Sequence, residues 1–133
     1  MHLIDTNVAI YLRDGEVSVS GRIAALSGPP RLSLLSWVEL EGGVYRDPGT
    51  AERRRTRLDI LLESLEILPC DAPVVRFYGQ IVATCGFSRP RILDRLIAAT
   101  AIANGLTLIT INGDDFRDLP GLSLEIWPAP AAQ

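Results

Sequence analysis

Apolar positions along the chain follow two alternating periods. Short apolar runs, the mark of buried strands, are followed by stretches in which apolar residues return every three or four positions, the mark of one helix face. His2 to Ile4 reads as a strand, Asn7 to Arg13 as a short helix broken by Gly15, and Val19 to Leu26 as a second helix stopped by Gly28-Pro29-Pro30. Arg31 to Leu35 is the next strand. Ser36 opens a helix to about Tyr45 with Trp37, Leu40 and Val44 on one face. Gly42-Gly43 either weakens that helix or marks close packing. After the turn Asp47-Pro48-Gly49-Thr50, with Thr50 placed to cap, a helix carries the stripe Leu58, Leu61, Leu62 and Leu65.

The second half repeats the alternation. Glu66 to Leu68 is a short strand ended by Pro69. Asp71 then caps a helix with Pro73 in its first turn and Val74, Phe77, Tyr78, Ile81, Val82 and Cys85 on its apolar face, closed by Gly86. A helix from Ile92 to Asn104 ends on Gly105. Leu106 to Ile111 is almost continuously apolar, as a central strand covered on both faces must be. Asn112 to Pro120 is polar loop, and Leu122 to Trp127 alternates as a last strand. The order predicts one α/β domain over residues 1–128, built on a central, mostly parallel five-stranded sheet with helices on both faces, and a loose tail at 129–133. At 133 residues the chain buries enough surface to fold without staples.

Composition narrows the chemistry. No apolar run approaches the roughly 20 residues of a membrane span, and the N-terminus has no signal-like segment, so a soluble cytoplasmic protein is expected. Cys70 and Cys85 lack zinc-site clustering and are expected to be small buried or half-buried hydrophobes. The one histidine, His2, argues against a His-rich metal site or a His-based triad. All 13 basic residues are arginine, which removes any mechanism that needs a lysine amine. The net charge of −3 does not announce a nucleic-acid binder.

In open parallel sheets, ligands bind beyond the C-terminal ends of the strands. The acids at that edge are Asp5 after the first strand, Glu39 early in the helix after the second, Asp94 at the start of the helix before the central strand, and Asp114 and Asp115 after it. Each has a structural alternative. Asp5 fits an N-cap, Ser36 to Glu39 a capping box, Asp94 a favourable place on a helix dipole, and Asp114 a turn or cap. Those alternatives do not explain why four acids gather at one edge. Gathered carboxylates need relief of their repulsion, and Mg²⁺ or Mn²⁺ is the natural relief for hard oxygen ligands. Two divalent ions would reverse the sign of the chain's net charge, so its acidity does not exclude an RNA substrate.

Four blocks carry a family resemblance: Leu3-Ile4-Asp5-Thr6-Asn7; Ser36-Trp37-Val38-Glu39-Leu40 with Gly43-Val44; Asp94-Arg95-Leu96-Ile97-Ala98-Ala99-Thr100-Ala101; and Leu108-Ile109-Thr110-Ile111-Asn112-Gly113-Asp114-Asp115-Phe116. In this order and spacing, with the trailing Leu119-Pro120-Gly121-Leu122, the chain resembles PIN-domain ribonucleases of the VapC toxin type. The resemblance implies a PIN-like α/β/α sandwich and an endoribonuclease dependent on Mg²⁺ or Mn²⁺. It matches Asp5, Glu39, Asp94 and Asp115 to the acidic quartet, with Asp5, Asp94 and Asp115 as metal ligands and Asn7 as the polar residue beside the first acid. Asp114 is the rival for the fourth position, and Asn112 stands where some relatives carry an acid. The resemblance also implies cleavage of transfer or ribosomal RNA, a small VapB-like antitoxin whose C-terminal segment wraps the toxin, and a homodimer or a toxin–antitoxin hetero-oligomer.

Two other functions are weighed against this one. A catalytically silent PIN-like binding module is disfavoured by the intact quartet. An aspartate-based phosphotransfer domain would use a lysine near the phosphate, and the chain has none. The Arg53 to Arg57 cluster is read as the solvated face of a helix whose other side is the leucine stripe, in preference to a phosphate contact.

Overall fold

A computed structural model describes residues 1–131. Its elements are β1 (His2–Ile4), α1 (Thr6–Arg13), α2 (Val17–Ala24), β2 (Arg31–Ser33), α3 (Leu34–Val44), α4 (Ala51–Ser64), β3 (Glu66–Leu68), α5 (Ala72–Cys85), α6 (Ile92–Ala103), β4 (Thr107–Thr110) and β5 (Ser123–Ile126). Single 3₁₀ turns lie at Arg89–Arg91 and Gly113–Asp115. The five strands form one sheet in the order β3-β2-β1-β4-β5, and every pairing is parallel. The expected mostly parallel sheet is therefore wholly parallel. The expected tail at 129–133 follows β5; residues 129–131 carry no helix or strand, and 132–133 lie outside the described residues.

The strand pleat divides the core into two layers. Leu3 and Ile4 on β1, and Leu108 and Ile109 on β4, are fully buried on opposite faces, as a period of two requires. Ile4 and Ile109 join Val8, Leu32, Leu40, Val44, Leu58 and Leu61, which belong to β2 and helices α1, α3 and α4. Leu3 and Leu108 join Val74, Ile81, Ile97, Ala98 and Phe116 on the α5–α6 side. The small residues of α6 let it lie close on the sheet, and the result is a three-layer α/β/α arrangement.

Strand order also fixes where a site can lie. The chain builds β1, β2 and β3 in one direction, then returns to lay β4 on the other side of β1. The crevice between the ends of β1 and β4 is thus the topological switch point, the usual ligand position in such sheets. Asp5 sits in it, donating its backbone N–H to the carbonyl of Ile109 at 3.1 Å.

Several local expectations shift. Helix α3 starts at Leu34, capped by Ser33, whose Oγ accepts from the Leu35 amide at 3.1 Å. The capping box at Ser36 and Glu39 is therefore not formed. Ser36, Leu40 and Val44 make the buried face of α3, one residue round from the expected Trp37, which is half-buried and donates its indole N–H to Glu41 at 3.0 Å. Thr50 holds the N-cap position of α4 but caps nothing with its side chain, its hydroxyl pointing back to Asp47. Asp71 caps α5 as expected, accepting from the Val74 amide at 3.3 Å. Cys70 is half-buried, whereas Cys85 is exposed at the end of α5, and both are free.

Candidate active site

A cleft of about 330 Å³ opens at the C-terminal edge of the sheet. Asp5, Glu39, Asp94 and Asp115 all line it, each delivered by a different segment, together with Asn7 and Asn112. Asp114 does not line it. Its side chain is 91% exposed and paired with Arg117, so of the two rivals only Asp115 reaches the cleft. Gly113 opens the turn that carries Asp115; a Cβ there would come within 2.5 Å of Ile126 Cδ1, the end of an exposed side chain that can move aside.

Asp5 is the most buried of the four, at 3% exposure. Its Oδ1 accepts from the Val8 amide at 2.9 Å, the N-cap bond of α1, and its Oδ2 accepts from the Thr110 hydroxyl at 2.5 Å. Thr110 in turn accepts from the Asn112 amide at 2.9 Å, tying the end of β4 to the loop that carries Asp115. Asp5 therefore is a helix cap and a cleft residue at once. Glu39 Oε1 accepts from the Thr6 hydroxyl at 2.6 Å, and Thr6 Oγ1 lies 2.9 Å from the buried Ser36 Oγ. A hydroxyl beside each of these acids fixes its rotamer without neutralising its charge. Asp94 is the acid in the first turn of α6, whose N-cap has no side-chain bond of its own.

The electrostatics register the crowding. Burial pushes the Asp5 carboxyl up, against the pull of its hydrogen bonds to Thr110 and Val8, and the charges of Asp115 and Glu39 push the same way. Asp94 is pushed up to about 6, first by burial, then by Asp115, Glu39 and Asp5, with Arg91 pulling it down. The four carboxylates thus form one field. Among the described residues, no three Asp, Glu, His or Cys side chains already stand close enough together to grip an ion by themselves.

Arginines form part of the wall: Arg13, Arg46 and Arg54. Arg13 is committed to Asp14 at 2.9 Å, and Arg54 Nη1 donates to the Gly43 carbonyl at 3.0 Å. The cluster at 53–57 is otherwise structural. Arg55 bridges Glu41 and Asp59, and Arg57 donates to the Asp14 carbonyl at 3.3 Å. Arg54 alone departs from the solvated-face reading. Thr6, Thr110, Arg13 and Arg46 went unselected in the sequence, and Arg54 was read with its cluster as a solvated face. For the two threonines the available signal was a hydroxyl beside a strand end at the acidic edge; for Arg13 and Arg46 there was none, because only packing brings them to the cleft.

A family model for the PIN domain matches residues 2–122, a span that contains all four acids. The chain belongs to the PIN-domain family. Within this family, Ribonuclease VapC2 from Rickettsia felis is 31% identical over 133 residues, covering 96% of this chain and 98% of its own. A tRNA(fMet)-specific endonuclease VapC from Shigella flexneri is 27% identical, covering 94% of this chain and 96% of its own. The crystal structure of VapBC2 from Rickettsia felis bound to a DNA fragment from its promoter matches with a TM-score of 0.83 and 29% identity, covering 95% and 98% of the two chains. This PIN domain is thus of the VapC ribonuclease type, with the sheet and helices expected from its sequence.

Proposed function

We propose that this VapC-type PIN ribonuclease is a metal-dependent endoribonuclease, the toxin of a toxin–antitoxin pair, and that it hydrolyses RNA phosphodiesters in the acidic cleft. The observation that carries the reading is the meeting of Asp5, Glu39, Asp94 and Asp115, from four segments, in one cleft at the switch point of the sheet.

The donor set fits Mg²⁺ or Mn²⁺. The acids repel one another, and two of the three arginines on the wall are already committed to protein partners. Mg²⁺ keeps several waters and is held by one or two carboxylates plus substrate phosphate, so it needs no closed protein cage. Asp5, Asp94 and Asp115 would hold it. When bound, such an ion neutralises the phosphate charge and makes water a better nucleophile.

The chain's own residues do the rest. Asp5 is fixed by Val8 and Thr110, so its position costs little to organise at the moment of reaction. Glu39, held by Thr6, orients the attacking water in line with the leaving oxygen. Water attacks phosphorus, the bond to the 3′ oxygen breaks, and the products carry a 3′-hydroxyl and a 5′-phosphate. The name of the Shigella flexneri relative specifies tRNA(fMet), which makes transfer RNA the first substrate to try, with ribosomal RNA next. A small VapB-like antitoxin is the expected partner, since the Rickettsia felis structure is of VapBC2.

The test is cleavage of transfer RNA by purified protein in Mg²⁺ or Mn²⁺ against a chelator control. Asp5→Asn and Asp94→Asn are expected to lower the rate on the order of 100-fold or more. Full cleavage in both variants would overturn the assignment. Metal-independent RNA binding without any cleavage would favour the silent binding module.

A further inference from the structure

We propose that the loop joining α5 to α6 is a seat for single-stranded RNA, in which Phe87 stacks on one base and Arg89 and Arg91 hold the flanking phosphates. The proposal rests on the ribonuclease reading and locates a substrate contact outside the acidic cleft.

Three observations point to it. Phe87 is 66% exposed in a segment without helix or strand, so a large aromatic face meets water. Along the chain the charge flanking it is one-sided. Residues 72–93 carry three arginines, Arg76, Arg89 and Arg91, and no Asp or Glu, although the chain as a whole has net charge −3. Among the described residues none of the three makes an ion pair. An exposed aromatic ring followed closely by exposed arginines without an ion pair is the pairing that binds unpaired nucleotides, the ring taking the base and the guanidinium groups the backbone.

The loop is also tied at its base to α6, the helix that carries Asp94. Gly86, at φ +84°, turns the chain out of α5, and its carbonyl accepts from Nη1 of the buried Arg95 at 2.6 Å. Arg95 follows Asp94 on α6, so the base of the loop is clamped to the helix that delivers a cleft acid. Arg91 lies close enough to Asp94 to act on its charge. A platform fixed at its base loses little freedom on binding.

Binding is measured by fluorescence anisotropy with a labelled single-stranded oligoribonucleotide of mixed sequence, using the full chain in chelator so that no cleavage intervenes. Phe87→Ala is expected to weaken binding on the order of tenfold, leaving the salt dependence unchanged. Phe87→Trp is expected to restore affinity, with its indole emission quenched by RNA. Arg89→Ala and Arg91→Ala are each expected to reduce the slope of log affinity against log salt by about 0.7. Affinity unchanged in Phe87→Ala, or no binding by the parent chain, would overturn the seat. So would a change in oligomeric state in Phe87→Ala, which would assign the ring to a protein contact. The two readings fail separately. Cleavage by the parent chain with no effect of Phe87 removes the seat alone, and Phe87-dependent binding without metal-dependent cleavage removes the nuclease reading alone.

Discussion

Asp5 Oδ1 accepts from the Val8 amide and Oδ2 from the Thr110 hydroxyl, which leaves each oxygen a lone pair for the cleft. Of these donors only the hydroxyl can be removed by a side-chain change. Thr110→Val keeps the shape and leaves a buried carboxylate oxygen without its partner, at a cost of about 1–3 kcal/mol. It also removes a contact that holds the Asp5 carboxyl down, so the acid limb of the pH–rate profile should move to higher pH. Thr110→Ser should restore both, and an unshifted profile in Thr110→Val would show that the hydroxyl does not tune Asp5. The adjacent pair at 114 and 115 gives a second residue-scale test. Asp115→Asn should abolish metal-dependent cleavage, whereas Asp114→Asn, out in solvent with Arg117, should leave it intact.

Among the elements, α3 separates what could be read from the chain and what could not. Its existence and its acid were legible, because a strand running into an amphipathic stretch with Glu39 near its start is a local pattern. Its first residue was not. Ser33 and Ser36 both precede helical residues, and the apolar Leu34 and Leu35 between them read equally well as strand. The fold decides by burying Ser36 against Thr6 and leaving Ser33 to cap. Ser33→Ala should therefore cost about 1 kcal/mol in urea unfolding. Ser36→Ala should cost less and instead loosen the Thr6–Glu39 contact, lowering cleavage. The reverse ranking would return Ser36 to the cap. Asp71 was readable as the cap of α5 because its proline in the first turn leaves no second register. The cleft arginines were unreadable because no local pattern places residues of α1, α3 and α4 on one wall.

For the molecule as a whole, the acidic cleft is a cost that a bound cation would remove. Asp94 sits at about 6 in the fold, above the ordinary 3.8. Below that ordinary value both folded and unfolded chains hold the proton. Between the two, only the fold holds it, so the group's contribution to stability is lost as pH rises toward 6. In chelator, Asp94→Asn should raise the melting temperature at pH 7.5, and the gain should vanish near pH 4. Saturating Mg²⁺ should reverse the sign at pH 7.5, because the parent chain then gains linkage stabilisation that the variant lacks. A variant no more stable than its parent in chelator would mean that the Asp94 charge carries neither a burial cost nor repulsion.

Strand β1 is laid down first yet ends between β2 and β4, and the hydroxyl that grips Asp5 lies 105 residues further along. A ribosome emits the chain from its N-terminus. Until β4 has emerged, β1 has one open edge, Asp5 lacks Thr110, and Asp115 does not yet exist. No nascent fragment short of that point holds the four-acid cleft. For a protein that hydrolyses RNA, this is a built-in delay: the four acids meet only after β4 and the loop behind it have been made.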